Sequence, residues 1–357
     1  MRYLTTELTG EEVLTGRTGA LGLIALNRPR IINSLSLVMI RQIETALDGF
    51  EADPTIAAVF VTGEGERGFC AGGDIRMLYE SGRTGDPEAA TFLREEYRLN
   101  GRIGRYPKPY VVIVEGITMG GGVGLSGHAS HRIATDTTKL AMPETGIGFF
   151  PDVGATWLLS HGPGELGTYM GLTGEPIGPG DAIAADFADS FVPSTNLTAL
   201  AERLAALPAG ADAKAVSDVI ATFATAAPEG QFAENRALID RCFAFDTVEQ
   251  IFAALDAEDN DFAAKAKATM LTKSPTSLKV TLALLRAGRA SPDLETCLVR
   301  EFAATAQTLN TPDFYEGIRA AIIDKDRNPQ WSPARLDDVG PDIVEAFLKP
   351  HPQPLFG

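Results

Sequence analysis

The sequence predicts an α/β protein with a mostly parallel sheet, followed by a region made of helices alone. Short apolar runs with strand character lie at residues 21–26, 57–62 and 109–114, separated by segments whose apolar residues recur at helical spacing. Near residue 200 the composition changes, and the chain becomes alanine-rich and amphipathic. We therefore expect a core over residues 1–200 and a helical region over residues 201–357.

Each predicted strand ends at a turn signal, and a helix follows the turn. Asn27, Arg28 and Pro29 stop the first strand, because proline fixes the backbone and removes a hydrogen-bond donor. Ser34 precedes the next helical pattern as its predicted N-cap. The main helices that apolar spacing predicts cover residues 35–50, 75–79, 86–103, 275–287 and 293–309.

Composition bounds the function and location of the protein. The chain has 357 residues, of which 45% are apolar and 22% charged, as is typical of a soluble globular protein. Its net charge of −16 argues against a nucleic-acid partner. Three scattered cysteines predict a reducing, cytoplasmic location, and the acidic N-terminus does not fit a transit peptide. No apolar run reaches the roughly 18 residues of a membrane span, so we expect none.

Two glycine-rich segments are candidates for backbone donors. Gly120, Gly121 and Gly122 precede a helical pattern, and Gly72 and Gly73 follow the second strand. Glycine lets a ligand approach the backbone, and a helix N-terminus offers free N–H groups that favour negative charge. Residues 122–127 also match GxGxxG, but seven residues separate them from the strand before, so a dinucleotide site is a weak prediction. An oxyanion-binding donor and a simple packing turn are the other two interpretations.

Two carboxylates stand in apolar surroundings. Glu144 follows Pro143 in Leu-Ala-Met-Pro-Glu, and Asp152 follows Pro151 in Gly-Phe-Phe-Pro-Asp. Burial raises the pKa of a carboxyl group and makes it a better base or nucleophile. Helix N-capping is an equally good interpretation of either residue taken alone. Glu96, on a predicted helix, is by itself most simply a solvated charge.

Other reactive side chains are weaker candidates. Ser126 does not stand in a GxSxG motif. His128 and His131 are predicted to share a helix face, yet two histidines alone seldom bind a metal. Cys70 adjoins a donor loop and could act as a thiol nucleophile, although a buried free cysteine is the commoner case.

Four segments form a recognisable pattern over about the first 200 residues: Leu26-Asn-Arg-Pro-Arg30, Phe69-Cys-Ala-Gly-Gly-Asp-Ile75, residues 116–124 and Pro143-Glu-Thr-Gly-Ile-Gly148. Taken together, they resemble the crotonase superfamily, also called the enoyl-CoA hydratase/isomerase family. A closer likeness, to a thioester-hydrolysing branch of the family, runs nearly end to end. It lies in residues 94–97, 116–126, 142–154, 274–279, 313–320 and 323–326.

The resemblance implies a spiral of ββα units, followed by a helical C-terminal region. It implies that Gly73 and Gly121 donate hydrogen bonds to a thioester oxygen and that Glu144 and Asp152 are catalytic. The hydratase branch has a second catalytic glutamate where this chain has Gly124, which argues against hydration of a double bond. The substrate-binding positions that we expect are Arg30, near the CoA phosphates, and Ala71, Asp74, Ile75, Glu96, Gly121, Glu144 and Asp152.

From this resemblance we expect an enzyme that hydrolyses the thioester of a small acyl-CoA. CoA is part of the substrate, and no metal or redox cofactor is expected. Glu144 either attacks the carbonyl carbon or activates a water, and the sequence leaves that choice open. It leaves the oligomeric state open too, a homo-oligomer included. The alternatives are a hydratase or isomerase of the same fold and a catalytically silent acyl-CoA-binding protein.

Overall fold

The computed structural model describes residues 3, 4 and 6–356. The strands are β1 (Val13–Thr18), β2 (Leu21–Leu26), β3 (Ala58–Gly63), β4 (Tyr110–Val114), β5 (Ile117–Met119), β6 (His131–Ala134), β7 (Lys139–Ala141) and β8 (Ser190–Phe191). The helices are α1 (Leu37–Ala52), α2 (Ile75–Thr84), α3 (Glu88–Gly104), α4 (Gly121–Ser126), α5 (Ala155–His161), α6 (Leu166–Thr173), α7 (Pro179–Ala184), α8 (Leu197–Ala205), α9 (Ala213–Ala221), α10 (Gln231–Cys242), α11 (Val248–Asp256), α12 (Asp261–Met270), α13 (Pro275–Arg289), α14 (Leu294–Thr308), α15 (Pro312–Ile318) and α16 (Pro341–Phe347).

Six strands form the main sheet, in the order β1-β2-β3-β4-β6-β8. The first pair is antiparallel, and every later pair is parallel. β2 and β4 are buried along their whole length, as expected of parallel strands that are covered on both faces. Strands β5 and β7 form a separate small sheet. The predicted α/β class and the mostly parallel sheet are therefore confirmed.

Two local predictions were wrong. Ser36, not Ser34, caps α1, because Ile32 and Asn33 have left-handed φ angles and the chain is still turning at residue 34. The Ser36 hydroxyl accepts a hydrogen bond from the Met39 amide at 3.1 Å. The other error concerns His131, which begins β6 and does not share a helix face with His128.

The chain divides into two compact units that interleave along the sequence. The first contains the chain up to Gly73, Arg98–Leu140 and Ile177–Gly230. It holds the six-stranded sheet, and one sheet face packs on α8 and α9 through apolar side chains such as Phe60 and Leu200. Burial of this apolar surface is the main stabilising contribution in the unit.

The second unit contains Asp74–Tyr97, Ala141–Pro176 and the chain from Gln231 onward. Helices dominate it, as predicted for the C-terminal region, and α13 packs against α5, α6 and α16. The linear division at residue 200 stays a prediction. Within the residues that the structure describes, no helix is long and apolar enough to cross a membrane.

Candidate active site

In the first unit, the loop after β3 pairs with β5. The Cys70 amide donates to the Ile117 carbonyl at 3.1 Å, and the Met119 amide donates to the Cys70 carbonyl at 2.9 Å. A Cβ atom at Gly122 would lie 2.4 Å from the Cys70 oxygen, a distance no side chain tolerates. Glycine at 122 is therefore required by the packing of α4 on this loop.

The two predicted donors lie on these neighbouring segments. Gly121 is the first residue of α4, so its N–H group has no acceptor within the helix. The Gly73 amide makes no hydrogen bond to any residue in the described ranges. Gly72 has φ of 109°, and a Cβ built there would be 3.6 Å from the Gly121 nitrogen. The structure brings the two loops together, while the role of the donors stays a prediction.

The glycine motif does not form a dinucleotide-binding turn. Residues 122–126 lie inside the short, fully buried helix α4 rather than in a strand-to-helix loop. The Ser126 hydroxyl donates to the Gly122 carbonyl at 2.8 Å, within its own helix. The geometry thus favours helix packing of Gly122 and Gly124 over a dinucleotide site, and backbone donation to a ligand stays a prediction.

The remaining candidates of this first unit lie nearby in the chain. Arg30 is exposed on a 3₁₀ turn, Pro29–Ile31. Arg67 holds that turn by donating to the Arg30 carbonyl at 2.5 Å. The Ala71 amide donates to the Ile32 carbonyl at 2.9 Å. An exposed guanidinium on a fixed turn suits an anion, and the role of Arg30 near the CoA phosphates stays a prediction.

Asn33 is an organising residue that sequence reasoning missed. It is fully buried, and its side-chain amide donates to the carbonyls of Glu64 at 3.0 Å and Phe69 at 2.9 Å. Its Oδ1 atom accepts from the Arg28 amide at 2.8 Å. These bonds tie the turn after β2 to the loop after β3. The signal available was an asparagine between a strand and a helix, since asparagine tolerates left-handed φ.

The second unit contains the carboxylate candidates. Asp74 is the N-cap of α2 and accepts a hydrogen bond from the Met77 amide at 3.3 Å, and half-buried Ile75 begins that helix.

The other three carboxylate candidates are buried. Glu96 lies on α3, and Glu144 begins the 3₁₀ turn Glu144–Ile147. Glu96, Glu144 and Asp152 are 2%, 7% and 7% exposed. The prediction that Glu96 alone is a solvated charge was wrong, because α3 turns this side chain inward.

The turn that carries Glu144 is fixed by its neighbours. Gly148 ends the turn with φ of 71°, and a Cβ atom there would lie 2.1 Å from the Asp313 carbonyl oxygen. The Ser274 amide donates to the Thr145 carbonyl at 3.1 Å. The Ser274 hydroxyl in turn donates to the Asp313 carboxylate at 2.5 Å. The Glu144 backbone therefore has little freedom to move.

The three buried carboxyl groups have perturbed acidities. Burial, followed by repulsion from Asp152, raises the pKa of Glu96 and of Glu144 well above the ordinary value. Burial also raises the pKa of Asp152 to about 7, although a hydrogen bond from Tyr97 opposes the shift. Lys273, whose own pKa burial lowers, partly offsets the rise at Glu144. Near neutral pH such a cluster can exchange protons, as a general base or nucleophile must.

Two carboxylate oxygens of this cluster retain unused capacity to accept a hydrogen bond. Glu144 Oε2 and Glu96 Oε1 are buried and have no hydrogen-bond partner within the described part of the chain. Asp152, in contrast, accepts from the Tyr97 hydroxyl at 2.6 Å. A buried unpaired oxygen costs free energy, which a substrate hydroxyl or a water would recover.

Tyr97, Thr305 and Glu301 complete the surroundings of Asp152. The Tyr97 oxygen lies 2.8 Å from the Thr305 hydroxyl. Glu301 accepts hydrogen bonds from the Gly154 amide at 2.6 Å and the Thr156 amide at 2.9 Å. Burial raises the pKa of Glu301 to about 8, against the effect of these donors. Sequence reasoning missed Glu301 and Thr305 because they lie in an ordinary helical pattern far along the chain.

The histidine and thiol candidates have structural partners. His131 contacts the hydroxyls of Ser130 and Ser217, each at 2.9 Å. Cys70 is fully buried, and its thiol donates to the Asn33 carbonyl at 3.2 Å. No group of three or more histidine, cysteine, aspartate or glutamate residues suited to a metal ion occurs in the described ranges. That no metal is required stays a prediction.

We expect Cys70→Ala to keep CoA-ester turnover within about threefold of wild type, because the thiol is a packed side chain with a backbone partner. Loss of the sulfur leaves a small cavity, so the melting temperature should fall by a few degrees. Steady-state kinetics and thermal unfolding check this. Loss of nearly all activity in a folded Cys70→Ala protein would instead identify sulfur as the nucleophile.

The chain belongs to the enoyl-CoA hydratase/isomerase family, that is, the crotonase superfamily: the sequence model of that family matches residues 21–348. The predicted crotonase-like fold is thus confirmed. Over 338 residues the chain is 43% identical to 3-hydroxyisobutyryl-CoA hydrolase, mitochondrial, of Xenopus laevis, covering 93% of this chain and 87% of that protein.

Two solved structures are also similar. A carnitinyl-CoA dehydratase from Mycobacterium thermoresistibile has a TM-score of 0.91 and 44% identity, covering 97% of this chain and 98% of its own. An enoyl-CoA hydratase from Rhodobacter sphaeroides has a TM-score of 0.86 and 42% identity, covering 95% and 98%. The names of these relatives include a thioester hydrolase, a dehydratase and a hydratase.

Proposed function

We propose that this protein hydrolyses 3-hydroxyisobutyryl-CoA to 3-hydroxyisobutyrate and CoA, a step of valine breakdown. The observation that carries the proposal is the buried set of Glu96, Glu144 and Asp152, two of which have a carboxylate oxygen without a hydrogen-bond partner in the described structure. The name of the Xenopus laevis relative supports the same substrate. Gly124 is buried in α4 and has no carboxylate, whereas the hydratase branch has its second catalytic glutamate at this position.

The proposed reaction adds water across the C–S bond of the thioester. Glu144 removes a proton from the attacking water, or attacks first and forms an anhydride that water then cleaves. The carbonyl oxygen gains negative charge, for which Gly73 and Gly121 are the proposed donors. One such donor is typically worth about 3 kcal/mol of barrier. The sulfur leaves with the bonding electron pair and takes up a proton to give free CoA.

The other carboxyl groups are assigned to orientation. A 3-hydroxyacyl group carries a hydroxyl that can donate to Glu96 or Asp152, and this bond would distinguish it from an acyl group without one. Arg30, exposed on its turn, is proposed to face the CoA phosphates. No metal or redox cofactor is proposed. The cytoplasmic location also stays a proposal, and the Xenopus laevis relative is named as mitochondrial.

The test is release of free thiol from 3-hydroxyisobutyryl-CoA by the purified protein without added metal. We expect stoichiometric CoA release that a chelator leaves unchanged. Crotonyl-CoA is the comparison substrate, since a hydratase adds water to its double bond without releasing thiol. Rapid hydration of crotonyl-CoA with no thiol from either ester would show the hydratase alternative. Tight binding of both esters without turnover would show a silent binding protein.

A further inference from the structure

Helix α14 presents two polar side chains, one turn apart, to the interior of the second unit. Glu301 is 0% exposed and Thr305 is 1% exposed. Burial of a carboxyl group and a hydroxyl group is costly unless both are hydrogen-bonded. Their bonding partners therefore indicate what these two side chains hold in place.

Glu301 holds the backbone that directly follows Asp152. Val153 and Gly154 have left-handed φ angles of 57° and 81°, and a β-branched residue adopts that region only under constraint. One Glu301 oxygen accepts from the Gly154 amide at 2.6 Å, and the other accepts from the Thr156 amide and hydroxyl at 2.9 and 2.5 Å. These three bonds fix the turn and hence the direction of the Asp152 side chain.

Thr305 acts on the same carboxylate through Tyr97. The single hydroxyl proton of Tyr97 is donated to Asp152 Oδ2 at 2.6 Å. The Thr305 hydroxyl, 2.8 Å from the tyrosine oxygen, must then be the donor of that contact. The result is a chain of donation from Thr305 to Tyr97 to Asp152. Each donor polarises the next, and a bond to an ionised acceptor is stronger than one to a neutral acceptor.

We propose that Glu301 and Thr305 are positioning residues for Asp152. Glu301 sets the backbone turn beside the carboxylate, and Thr305 favours the ionised carboxylate through the Tyr97 hydroxyl. Neither touches the reacting atoms. The catalytic part of this inference rests on the function proposed above.

The first test compares Thr305→Val with Thr308→Val. Valine keeps the shape of threonine and removes the donor. Thr308 is equally buried at 1% on the same helix, and its hydroxyl donates to the Ala304 carbonyl of that helix at 3.0 Å. The Asp152 titration is followed by the infrared stretch of its protonated carboxyl, which is identified by its loss in Asp152→Asn.

In Thr305→Val the Asp152 midpoint should rise by about half a pH unit or more, because the ionised form loses support. The acid limb of the pH–rate profile should also move to higher pH. Thr305→Ser should restore both the Asp152 midpoint and the acid limb to their wild-type positions. The charged and titratable groups facing Asp152 are Glu96 and Tyr97 from α3, Glu144 from its turn and Glu301 from α14. All of these groups are retained in both threonine variants, so a difference between the variants reports the effect of the Thr305 hydroxyl alone.

The second test is Glu301→Gln, which places an NH₂ group against one of the backbone donors. We expect kcat to fall about tenfold, because the turn beside Asp152 is displaced. KM should stay within twofold of wild type, because binding of the nucleotide and pantetheine parts of CoA does not depend on this turn. Faster amide hydrogen exchange over residues 152–156 should accompany the loss. Failure of Glu301→Gln to fold would overturn the positioning role of Glu301, because the proposal requires a folded protein with a displaced turn. The threonine pair decides the role of Thr305 in either case.

The outcomes separate this proposal from the proposed function, because the infrared titration needs no turnover. If the wild-type protein releases no CoA but the Asp152 midpoint shifts in Thr305→Val, the proposed function is wrong. The chain of donation from Thr305 to Asp152 is then still supported. A wild-type midpoint and kcat in Thr305→Val, equal to those of Thr308→Val, overturn the role of Thr305. Wild-type kcat in folded Glu301→Gln overturns the role of Glu301.

Discussion

Replacing Glu144 with glutamine is expected to lower kcat by about three orders of magnitude, with KM within about threefold of wild type. Glutamine keeps the shape of the side chain and removes the oxygen that attacks the carbonyl or accepts the proton. The nucleotide and pantetheine parts of CoA supply the binding energy, and they do not depend on this carboxylate. Interactions that form only in the transition state appear in kcat and not in KM.

The turn that carries Glu144 should survive the change. Its backbone is held by Gly148, Ser274 and Asp313, none of which bonds to the Glu144 side chain. Steady-state kinetics and calorimetric binding of a non-hydrolysable ester measure the two effects separately. Glu345→Gln, an exposed change on α16 of the same unit, is the control and should match wild type. A near-normal kcat in Glu144→Gln would contradict the proposed mechanism but not the family assignment.

Part of this molecule could be read directly from local sequence. β2 was predicted at its observed bounds, and α13 and α14 were predicted within two residues at each end. Buried parallel strands are continuous apolar runs, and amphipathic helices keep a period of 3.6, so both leave a local signal. The burial of Glu144 and Asp152 was predicted for a similar reason, since each follows a proline in an apolar run.

The residues that surround the carboxylates leave no local signal in the sequence. Thr305 lies 208 residues from Tyr97, and Glu301 lies 145 residues from Thr156. Neither pair can be inferred from spacing, because only the fold brings them together. Ser36 was missed as the cap of α1 for a different reason: the left-handed Ile32 and Asn33 prolong the turn beyond what a sequence pattern shows. Interleaving of the two units along the chain is likewise a property of tertiary contacts alone.

The pKa of Asp152 predicts a pH dependence of stability. The folded protein holds this proton up to about pH 7, whereas the group's ordinary pKa is 3.8. Between these values the folded state binds more protons than the unfolded state, so stability falls as pH rises through this window. Asp152→Asn lacks this group, and its unfolding free energy should fall less between pH 5 and about pH 8. Denaturant unfolding at several pH values measures the difference.

Asp152→Asn is also expected to lower kcat by about two orders of magnitude, less than Glu144→Gln, because asparagine can still accept from Tyr97 and orient a partner. The remaining activity should carry a distinct signature. Repulsion from Asp152 contributes to the raised pKa of Glu144, so removing that charge makes Glu144 a stronger acid. The acid limb of the rate profile should therefore move to lower pH, opposite to the shift expected for Thr305→Val. An unmoved limb, or one moved to higher pH, would show that Glu144 and Asp152 do not interact as the carboxyl pair of one site.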